Sequence, residues 1–381
     1  MFMGVCLAKD PIAWNEIVER SPYSVLHHKY EFYSSNKNAL ALIIRERDHR
    51  FLFPLINEEL FRAFRIVTSP IYYYASILPD TEKAIDSLSV ALDQVACFLQ
   101  EMKVDCLSTC APTFRSKRYA TTVDSWFKEH KADVQIVYAH MMRTGNTTFE
   151  DVWKHKFEKH ARNRIRKAAR NGVSVTKLDT VEDICLWMDD IYSCNVSALK
   201  RQGRWGAYPD SYKEVSLSEF VSAKKQLKEH FNLYGAIYCG RLIAYMVIQE
   251  YNKLMQVGKA MSHTRFLDKY PNEALVANIA REACERGFDW FEYGWDRVKR
   301  TEKLPSLYSS LQKFKFKFGF EEVPILIYRL GLTRKGRAIQ CLYRHRDFIV
   351  TRGVYIPKSL RSLFLKFYAA KHRELESYLY T

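Results

Sequence analysis

The chain has 381 residues, of which 48% are hydrophobic and 14% aromatic, and it contains only 14 glycines and 11 prolines. This length and composition predict a packed globular protein with two domains of ordinary size and argue against a disordered chain. No apolar run approaches ~20 residues, and Met1 to Asp10 lack a basic segment followed by a long apolar one, so we expect neither a membrane span nor a signal peptide. The nine scattered cysteines, without a Cys-x-x-Cys pair, argue against a disulfide framework or zinc site and favour reduced thiols in the cytoplasm.

The net charge of +16 is concentrated in two segments. From Arg297 to the end there are 19 lysines and arginines against six acidic residues, and Lys154 to Arg170 hold eight against the single Glu158. This concentration predicts an anionic partner, namely the phosphates of a nucleotide or coenzyme, RNA, or an anionic membrane surface. The alternative is a solvated basic surface with no ligand.

Residues 1–143 are predicted to form one α+β domain. Amphipathic and alternating patterns predict helices near Ala13–Arg20, His28–Ser34 and Glu82–Met102, and strands at Leu40–Arg45, Arg50–Ile56 and Val134–Ala139. The closest cysteine pair, Cys106 and Cys110, has helical spacing. The turn-rich stretch Thr144–Thr148 marks the end of this domain.

Residues 144–330 are predicted to form a second α+β domain. In chain order the patterns predict a basic helix Phe149–Arg170, a strand Val173–Leu178, a helix Val181–Lys200, a loop Arg201–Pro209, a helix Leu217–His230, three strands at Phe231–Tyr238, Leu242–Tyr251 and Lys253–Met261, a helix Asn272–Arg286 and a strand Phe288–Gly294. Three strands, a helix and a strand, with a long antiparallel hairpin, indicate a mixed, mostly antiparallel sheet flanked by helices.

Residues 331–381 are predicted to form a basic helical C-terminal extension. Leu360, Leu363, Phe364 and Phe367 alternate with basic residues in a pattern typical of an amphipathic helix. Such a helix fits peripheral contact with an anionic membrane, and equally a helix packed on the protein body.

Three segments of the second half resemble the FemAB-like branch of the GNAT acyltransferase superfamily, in which two GNAT-type domains stand in tandem. The first is the basic helix and turn Lys159–Gly172 before a strand. The second, Ser197–Tyr212, follows the family's spaced arginine, glycine and aromatic positions at Arg201, Gly203, Tyr208 and Tyr212. The third follows the family's Phe-Lys-x-x-Phe-Gly at Phe314, Lys315, Phe318 and Gly319. The first half is covered only by analogy, through His27-His28-Lys29 and Ser69-Pro70.

The resemblance implies N-acyl transfer by direct attack of an amine on an activated acyl group, without a metal or a tightly bound cofactor. The donor co-substrate it implies is an aminoacyl-tRNA or an acyl group on coenzyme A or a carrier protein. The acceptor is an amine of a small molecule, a peptide or a cell-envelope precursor, and the location is the cytoplasm or the inner membrane surface. The alternative is a non-catalytic RNA-binding or membrane-surface module on a GNAT-like fold.

The chain departs from the family pattern in two places. GNAT enzymes that use acetyl-coenzyme A carry a glycine-rich loop before the helix that follows the third strand, and its amides hold the pyrophosphate. Here Ser262–Asn272 contain no glycine, which disfavours coenzyme A and favours a tRNA donor. The long helical hairpin that some tRNA-dependent members insert is also absent.

The candidate catalytic residues are Lys315, Tyr293 and Asp296. Lys315, in a predicted strand with Lys313 and Lys317 on one face, would donate to the oxyanion or the leaving group. An edge strand protected by lysines is the competing interpretation. Asp296 would accept the amine proton and Tyr293 would return it to the leaving group, unless Asp296 is instead bound in a salt bridge to Arg297 or Arg300.

Two further sets are predicted to bind substrate. Arg201 and Arg204, beside Trp205 and Tyr208, form a loop suited to gripping a phosphate next to a stacked ring, or an ordinary surface loop. Phe314 and Lys29 are assigned to substrate binding through the resemblance. Arg162, Arg166 and Arg170 lie four residues apart on the basic helix, as a stripe that follows phosphates or as a solvated face.

Overall fold

The computed structural model describes residues 4–341, except for 35–37, 61–63, 71–73, 203–211 and 297–305. The strands are β1 (Val5–Leu7), β2 (Ala39–Glu46), β3 (His49–Leu60), β4 (Phe64–Thr68), β5 (Leu78–Pro79), β6 (Cys106–Pro112), β7 (Asp133–Arg143), β8 (Ser174–Leu178), β9 (Phe231–Tyr238), β10 (Arg241–Tyr251), β11 (Leu254–Ser262), β12 (Trp290–Asp296) and β13 (Glu321–Gly331). The α-helices are α1 (Pro11–Arg20), α2 (Glu31–Ser34), α3 (Leu88–Glu101), α4 (Lys117–Glu129), α5 (Phe149–Asp151), α6 (Lys159–Arg170), α7 (Val181–Leu186), α8 (Met188–Arg201), α9 (Tyr212–Leu227), α10 (Pro271–Glu285) and α11 (Ser306–Phe316). A last helical segment covers 334–341.

The chain folds into two compact α+β units. The first contains the described residues up to Tyr138 together with those from Val323, and the second contains Ala139 to Glu322. β7 leads from the first unit into the second. The predicted basic tail beyond residue 341, including Leu360 to Phe367, lies outside the described residues.

The first unit has a sheet in the order β1-β2-β3-β4-β6-β13, with β5 paired to β3. Only the β4–β6 pair is parallel among the registers described for this unit. The predicted β2–β3 hairpin and the helices corresponding to α1 and α3 are confirmed. The predicted helix His28–Ser34 is wrong in extent, because the chain there forms a 3₁₀ turn, Leu26–His28, and then the four-residue α2.

The sequence patterns did not predict β6 or α4. All seven residues of β6 are buried between β4 and β13, so the strand lacks the alternation that marks a half-exposed strand. Cys106 and Cys110 therefore lie on a buried strand, and their four-residue spacing does not reflect a helix. α4 begins at the N-cap Ser116, whose hydroxyl accepts from the amide of Tyr119.

The second unit has strands in the order β12-β11-β10-β9-β8, and the predicted hairpin is confirmed as β9 and β10. β11 and β12 are parallel and are joined through α10, while the other pairs are antiparallel. Apolar residues of β9, β10 and β11 pack with α6 and α10 in a core that includes Met246, Met255, Leu275 and Val276. Within the described residues no helix is long and apolar enough to cross a membrane.

The basic helix predicted from Phe149 to Arg170 is interrupted. α5 passes into a π-helical turn, Val152–Lys156, and Phe157 is extended before α6 begins. Phe157 is buried and its ring packs edge-on against Phe318 at 5.1 Å, so tertiary packing holds the break open. The periodicity of the sequence cannot reveal a contact between residues so far apart in the chain.

The strand predicted around Lys313, Lys315 and Lys317 is wrong. Ser306–Phe316 form α11, followed by a turn that ends at Gly319. Lys313 is therefore exposed while Lys315 and Lys317 are buried, so the three lysines do not share a face. The alternating Phe-Lys pattern resembles a strand, but the last helical turn buries residues that an ideal strand would expose.

Gly319 has a conformational and a packing reason to be glycine. Its φ is +75°, and a Cβ would lie 2.8 Å from the carbonyl oxygen of Lys156. Gly172 has a similar φ of +82° but nothing within 4 Å of the Cβ position. We expect Gly172→Ala to lower the free energy of unfolding by about 1 kcal/mol, the cost of the left-handed backbone. Gly319→Ala is expected to lower the free energy of unfolding by ~1–3 kcal/mol more than Gly172→Ala does, because the backbone at Lys156 must move to make room for the Cβ.

Denaturant unfolding of the two glycine variants measures this difference. Gly172→Ala serves as the control for backbone strain alone. Equal losses in the two variants would contradict the close approach of Gly319 to Lys156.

Candidate active site

The candidate site lies where β11 and β12 stop pairing. The two parallel strands are paired only from Leu254 to Gln256 and from Trp290 to Glu292, although β11 continues to Ser262 and β12 to Asp296. α10 joins the strands, so its amino end lies at the same edge as their carboxyl ends. Open sheets bind ligands at this edge, between the carboxyl ends of parallel strands.

A buried carboxylate at this edge of the sheet accepts hydrogen bonds from two positively charged side chains. Glu273 Oε1 accepts from Lys317 Nζ at 2.8 Å and from Arg164 Nη1 at 3.2 Å. Glu273 is 6% exposed and Lys317 is 8% exposed, which shields the pair from solvent. We call Glu273, Lys317 and Arg164, together with the neighbouring Tyr293 and Phe314, the Glu273 cluster.

Each charged member is positioned by a different element. Glu273 is in the first turn of α10, Arg164 is on α6 with its guanidinium 5.4 Å from the centre of the Tyr270 ring, and Lys317 follows α11. The Lys317 ammonium lies 4.4 Å from the Phe314 ring and 5.3 Å from the Phe318 ring. Burial lowers the pKa of Lys317, and the Glu273 carboxylate opposes that shift.

Tyr293 supplies a hydroxyl to the cluster. It is buried on β12, directly after the last residue that pairs with β11, and its ring lies 6.0 Å from that of Phe314. Burial raises the pKa of Tyr293, and the negative charge of Glu273 raises it further. Tyr293 is therefore a protonated hydrogen-bond donor at neutral pH.

The structure brings several of the predicted residues together. Tyr293 and Phe314 are in the cluster, and Lys315 is buried on α11, directly after Phe314. Asp296 is the last residue of β12, but its side chain and both predicted partners, Arg297 and Arg300, lie outside the described residues.

Sequence reasoning missed Glu273, Lys317 and Arg164. A signal was available for Glu273, an acidic residue in the first turn of the helix predicted from Asn272, and for Lys317, which lies within the Phe-Lys-x-x-Phe-Gly segment. The pairing itself joins residues 44 positions or more apart, so no local pattern contains it.

The amino end of α10 is poorly suited to hold a phosphate. The chain before it forms a 3₁₀ helix, Thr264–Lys269, and the N-cap Tyr270 has a φ of +61°. Pro271 occupies the first helical position and has no N–H, while the Glu273 carboxylate already lies in the first turn. A phosphate there would lack one amide donor and would be repelled by a buried negative charge.

The Arg201 side chain is bound to the end of β11 and the residues that follow it. It ends α8, and its guanidinium donates to the Ser262 carbonyl at 3.3 Å and to the Thr264 hydroxyl at 2.9 Å. Burial lowers the pKa of Arg201. The other predicted residues of this loop, Arg204, Trp205 and Tyr208, lie outside the described residues.

The three arginines of the predicted stripe all lie on α6, but their surroundings differ. Arg162 donates to the carbonyls of Trp153 and Lys154 at 3.0 and 3.1 Å, and so closes the π-helical turn. Arg166 is exposed and lies 5.4 Å over the Trp153 ring, and Arg170 is exposed in the last turn.

Lys29 lies in the first unit. It follows the 3₁₀ turn Leu26–His28, and its ammonium is 3.9 Å from the Glu19 carboxylate. The neighbouring His28 ring is buried, and burial lowers its pKa to about 4, so it is neutral. No cluster of His, Cys, Asp and Glu side chains in the described part of the chain has the arrangement of a metal site.

Part of the chain matches a known protein family, and the fold resembles solved structures. Residues 155–300 match the acetyltransferase (GNAT) domain family. The crystal structure of FemX superposes with a TM-score of 0.66 at 10% identity, covering 89% of this chain and 100% of FemX. Residues 155–300 are therefore similar to a GNAT domain, and the chain has the fold seen in FemX.

Two further structures share this FemAB-like fold. The C-terminal domain of a putative lysylphosphatidylglycerol synthetase from Agrobacterium fabrum has a TM-score of 0.55 at 12% identity, covering 87% of this chain and 96% of its own. L-PGS from Bacillus licheniformis has a TM-score of 0.54 at 11% identity, covering 90% and 97%. No curated protein sequence matches the chain. The FemAB-like similarity is one of fold, since all three identities are low.

Proposed function

We propose that the chain is an N-acyltransferase that moves an aminoacyl group from an aminoacyl-tRNA to an amine. The observation that carries the choice of donor is the amino end of α10, where Pro271 and the buried Glu273 take the place of a phosphate-binding loop. An acyl-coenzyme A enzyme of the GNAT superfamily needs that place for pyrophosphate. A tRNA donor can instead be held through its backbone phosphates at exposed basic residues elsewhere.

The reaction assigned to the site is direct aminolysis of an ester. The acceptor ammonium loses a proton, and the resulting amine attacks the ester carbonyl, so that a C–N bond forms and the former carbonyl oxygen becomes an oxyanion. The C–O bond to the tRNA ribose then breaks, and the ribose oxygen takes a proton. No covalent bond to the protein is required, because position and electrostatic stabilisation supply the rate.

Residues at the edge of β11 and β12 have roles in this scheme. The Lys315 ammonium stabilises the oxyanion, and the Tyr293 hydroxyl donates to the departing oxygen. Asp296 accepts the proton that the attacking nitrogen loses as the C–N bond forms, and Tyr293 passes that proton to the leaving oxygen. The salt bridge between Lys317 and Glu273, together with the contact of the Lys317 ammonium with the Phe314 ring, holds the turn after α11 in place.

Native mass spectrometry of the purified protein, titrated with coenzyme A and with bulk charged tRNA, tests the donor. We expect saturable binding of charged tRNA and no binding of coenzyme A. Tight coenzyme A binding would overturn the tRNA donor and indicate a conventional acyltransferase. Binding of tRNA without transfer to any amine or peptide would favour a non-catalytic RNA-binding module.

The exposed arginines of α6 provide a second test. We expect Arg166→Ala/Arg170→Ala to weaken tRNA binding and to reduce the slope of log affinity against log salt by about 1–2, because each lost phosphate contact releases fewer counterions. The control is Arg20→Ala/Lys117→Ala, which removes two exposed positive charges from the first unit. Identical salt slopes for the two double variants would argue against phosphate contacts at α6.

A further inference from the structure

We propose that Lys259 on β11 is the base that takes a proton from the acceptor's ammonium group, and that Glu219 on α9 positions it. This inference rests on the proposed function and adds a catalytic residue to the same site. Neither residue was among the sequence-based candidates.

Lys259 lies at a bulge in the strand that borders the site. In the β10–β11 ladder Val247 pairs with Lys259 and Ile248 pairs with Val257, so Gly258 is an extra residue. Bulges re-aim the following side chain and are frequent beside active sites. Lys259 is three residues past Gln256, the last residue of β11 that pairs with β12, and so stands beside the point where the strands part.

The Lys259 side chain points to the face of the sheet covered by α9. Its ammonium lies 5.2 Å from the centre of the Phe220 ring, and that ring packs edge-on against Tyr245 at 5.8 Å. Tyr293 belongs to the core on the α10 face. An acceptor amine entering from the α9 face would therefore meet Lys259, while Tyr293, the donor assigned to the leaving group, lies on the α10 face.

The pair of Lys259 and Glu219 has proton affinities suited to this task. Burial lowers the pKa of Lys259 to about 8, and Glu219 opposes that shift. Burial likewise raises the pKa of Glu219 to about 7, and Lys259 opposes it. Near pH 8 a large fraction of Lys259 is a neutral amine, which accepts a proton from an alkylammonium far better than an ordinary lysine does.

Other polar side chains on α8 and α9 make contacts of their own. On α8, the Arg201 guanidinium is bound to Ser262 and Thr264 at the far end of β11, and Asn195 accepts from the Tyr245 hydroxyl of β10. On α9, Lys224 donates to the carbonyl of Phe231. The charge of Glu219 acts on Lys259 and favours its protonated form.

The proton balance of the step is simple. The acceptor ammonium gives one proton to the Lys259 amine and becomes the attacking nucleophile. As the C–N bond forms and the C–O bond breaks, the attacking nitrogen loses a second proton, which goes to the ribose oxygen. Lys259 then releases its proton to solvent, so the net products are an amide, a hydroxyl and one proton.

The test measures the pH dependence of kcat/KM for aminoacyl transfer in the full chain. Wild-type activity is expected to rise with pH through about 8, as Lys259 loses its proton. Lys259→Met is expected to remove this rise and to lower kcat/KM at pH 8 at least ~100-fold. Glu219→Gln is expected to shift the rise to lower pH, because the ammonium loses a stabilising negative charge.

A second measurement observes Lys259 without turnover. Reductive methylation with ¹³C-formaldehyde followed by NMR yields a methyl resonance for each lysine, and the one missing in Lys259→Met is assigned to Lys259. We expect that resonance to titrate near pH 8 and to move to lower pH in Glu219→Gln. The control Lys225→Met, an exposed lysine on α9, should alter neither the rate profile nor this resonance.

The outcomes separate this inference from the proposed function. Transfer by the wild-type protein with an unchanged pH profile in Lys259→Met would overturn the base and leave the proposed function standing. A Lys259 resonance that titrates at the ordinary lysine value would also overturn it. Absence of transfer in the wild-type protein would overturn the proposed function, and the catalytic role with it, even where the resonance titrates near pH 8.

Discussion

Replacing Lys315 with methionine is expected to lower kcat for acyl transfer by at least about 100-fold, because the oxyanion loses its cationic donor. Lys315 is 2% exposed on α11 and directly follows Phe314 of the Glu273 cluster. Methionine retains most of the unbranched aliphatic stem, so the packing around the position is largely kept. The melting temperature is therefore expected to change by only a few degrees.

Single-turnover measurement of transfer from charged tRNA provides the rate, and calorimetry provides the melting temperature. Lys313→Met is the matched control, because Lys313 is an exposed lysine on the same helix. It should leave both quantities unchanged. Full activity in Lys315→Met would remove Lys315 from the mechanism, and an equal rate loss in both variants would attribute the effect to the charge of α11 as a whole.

Breaking the salt bridge between Glu273 and Lys317 is expected to have the largest effect on stability. Glu273→Leu leaves two cations, Lys317 and Arg164, beside a buried apolar side chain, and we expect it to lower the free energy of unfolding by about 3–5 kcal/mol. Lys317→Met should cost about 3 kcal/mol, since Arg164 still pairs with the carboxylate. The double variant should recover most of the loss, because it leaves only the partly exposed Arg164 charge.

A double-mutant cycle by denaturant unfolding measures the coupling between the two residues. The exposed pair of Glu150 and Lys154, at 3.0 Å, is the matched control and should show a coupling below about 0.5 kcal/mol. A coupling at Glu273 and Lys317 as small as that of the surface pair would contradict the buried salt bridge.

The pH dependence of stability gives an independent check on Lys317. Burial lowers its pKa in the folded state below the ordinary 10.5, so the unfolded state binds more protons between these two values. Stability contributed by this group should therefore rise with pH in that window. Lys317→Met should remove that rise.

The fold class followed from patterns that the sequence itself contains. β9 and β10 alternate over the length of a hairpin with a turn at Cys239 and Gly240, and α10 carries a clear apolar face that ends before Gly287, so the central part of the second unit was predicted correctly. The predicted mostly antiparallel sheet with flanking helices is confirmed in both units.

The errors occurred where packing overrides local pattern. β6 is buried on both faces and so lacks alternation, and the chain break at Phe157 depends on the ring of Phe318, far away in sequence. The end of α11 was predicted as a strand because phenylalanine and lysine alternate there. The segment is instead a helix whose last turn buries Lys315.

The sequence by itself determined the α+β class, the succession of strands and helices from β9 to β12, and the presence of Tyr293 and Phe314 in the segments proposed for the site. Only the tertiary structure decided which charges meet, because Glu273, Lys317 and Arg164 come from three separate elements. The same holds for Lys259 and Glu219, whose altered pKa values result from burial between a strand and a helix 40 residues apart. Periodicity reports which face of an element is apolar, whereas pairing and desolvation depend on which faces are brought together.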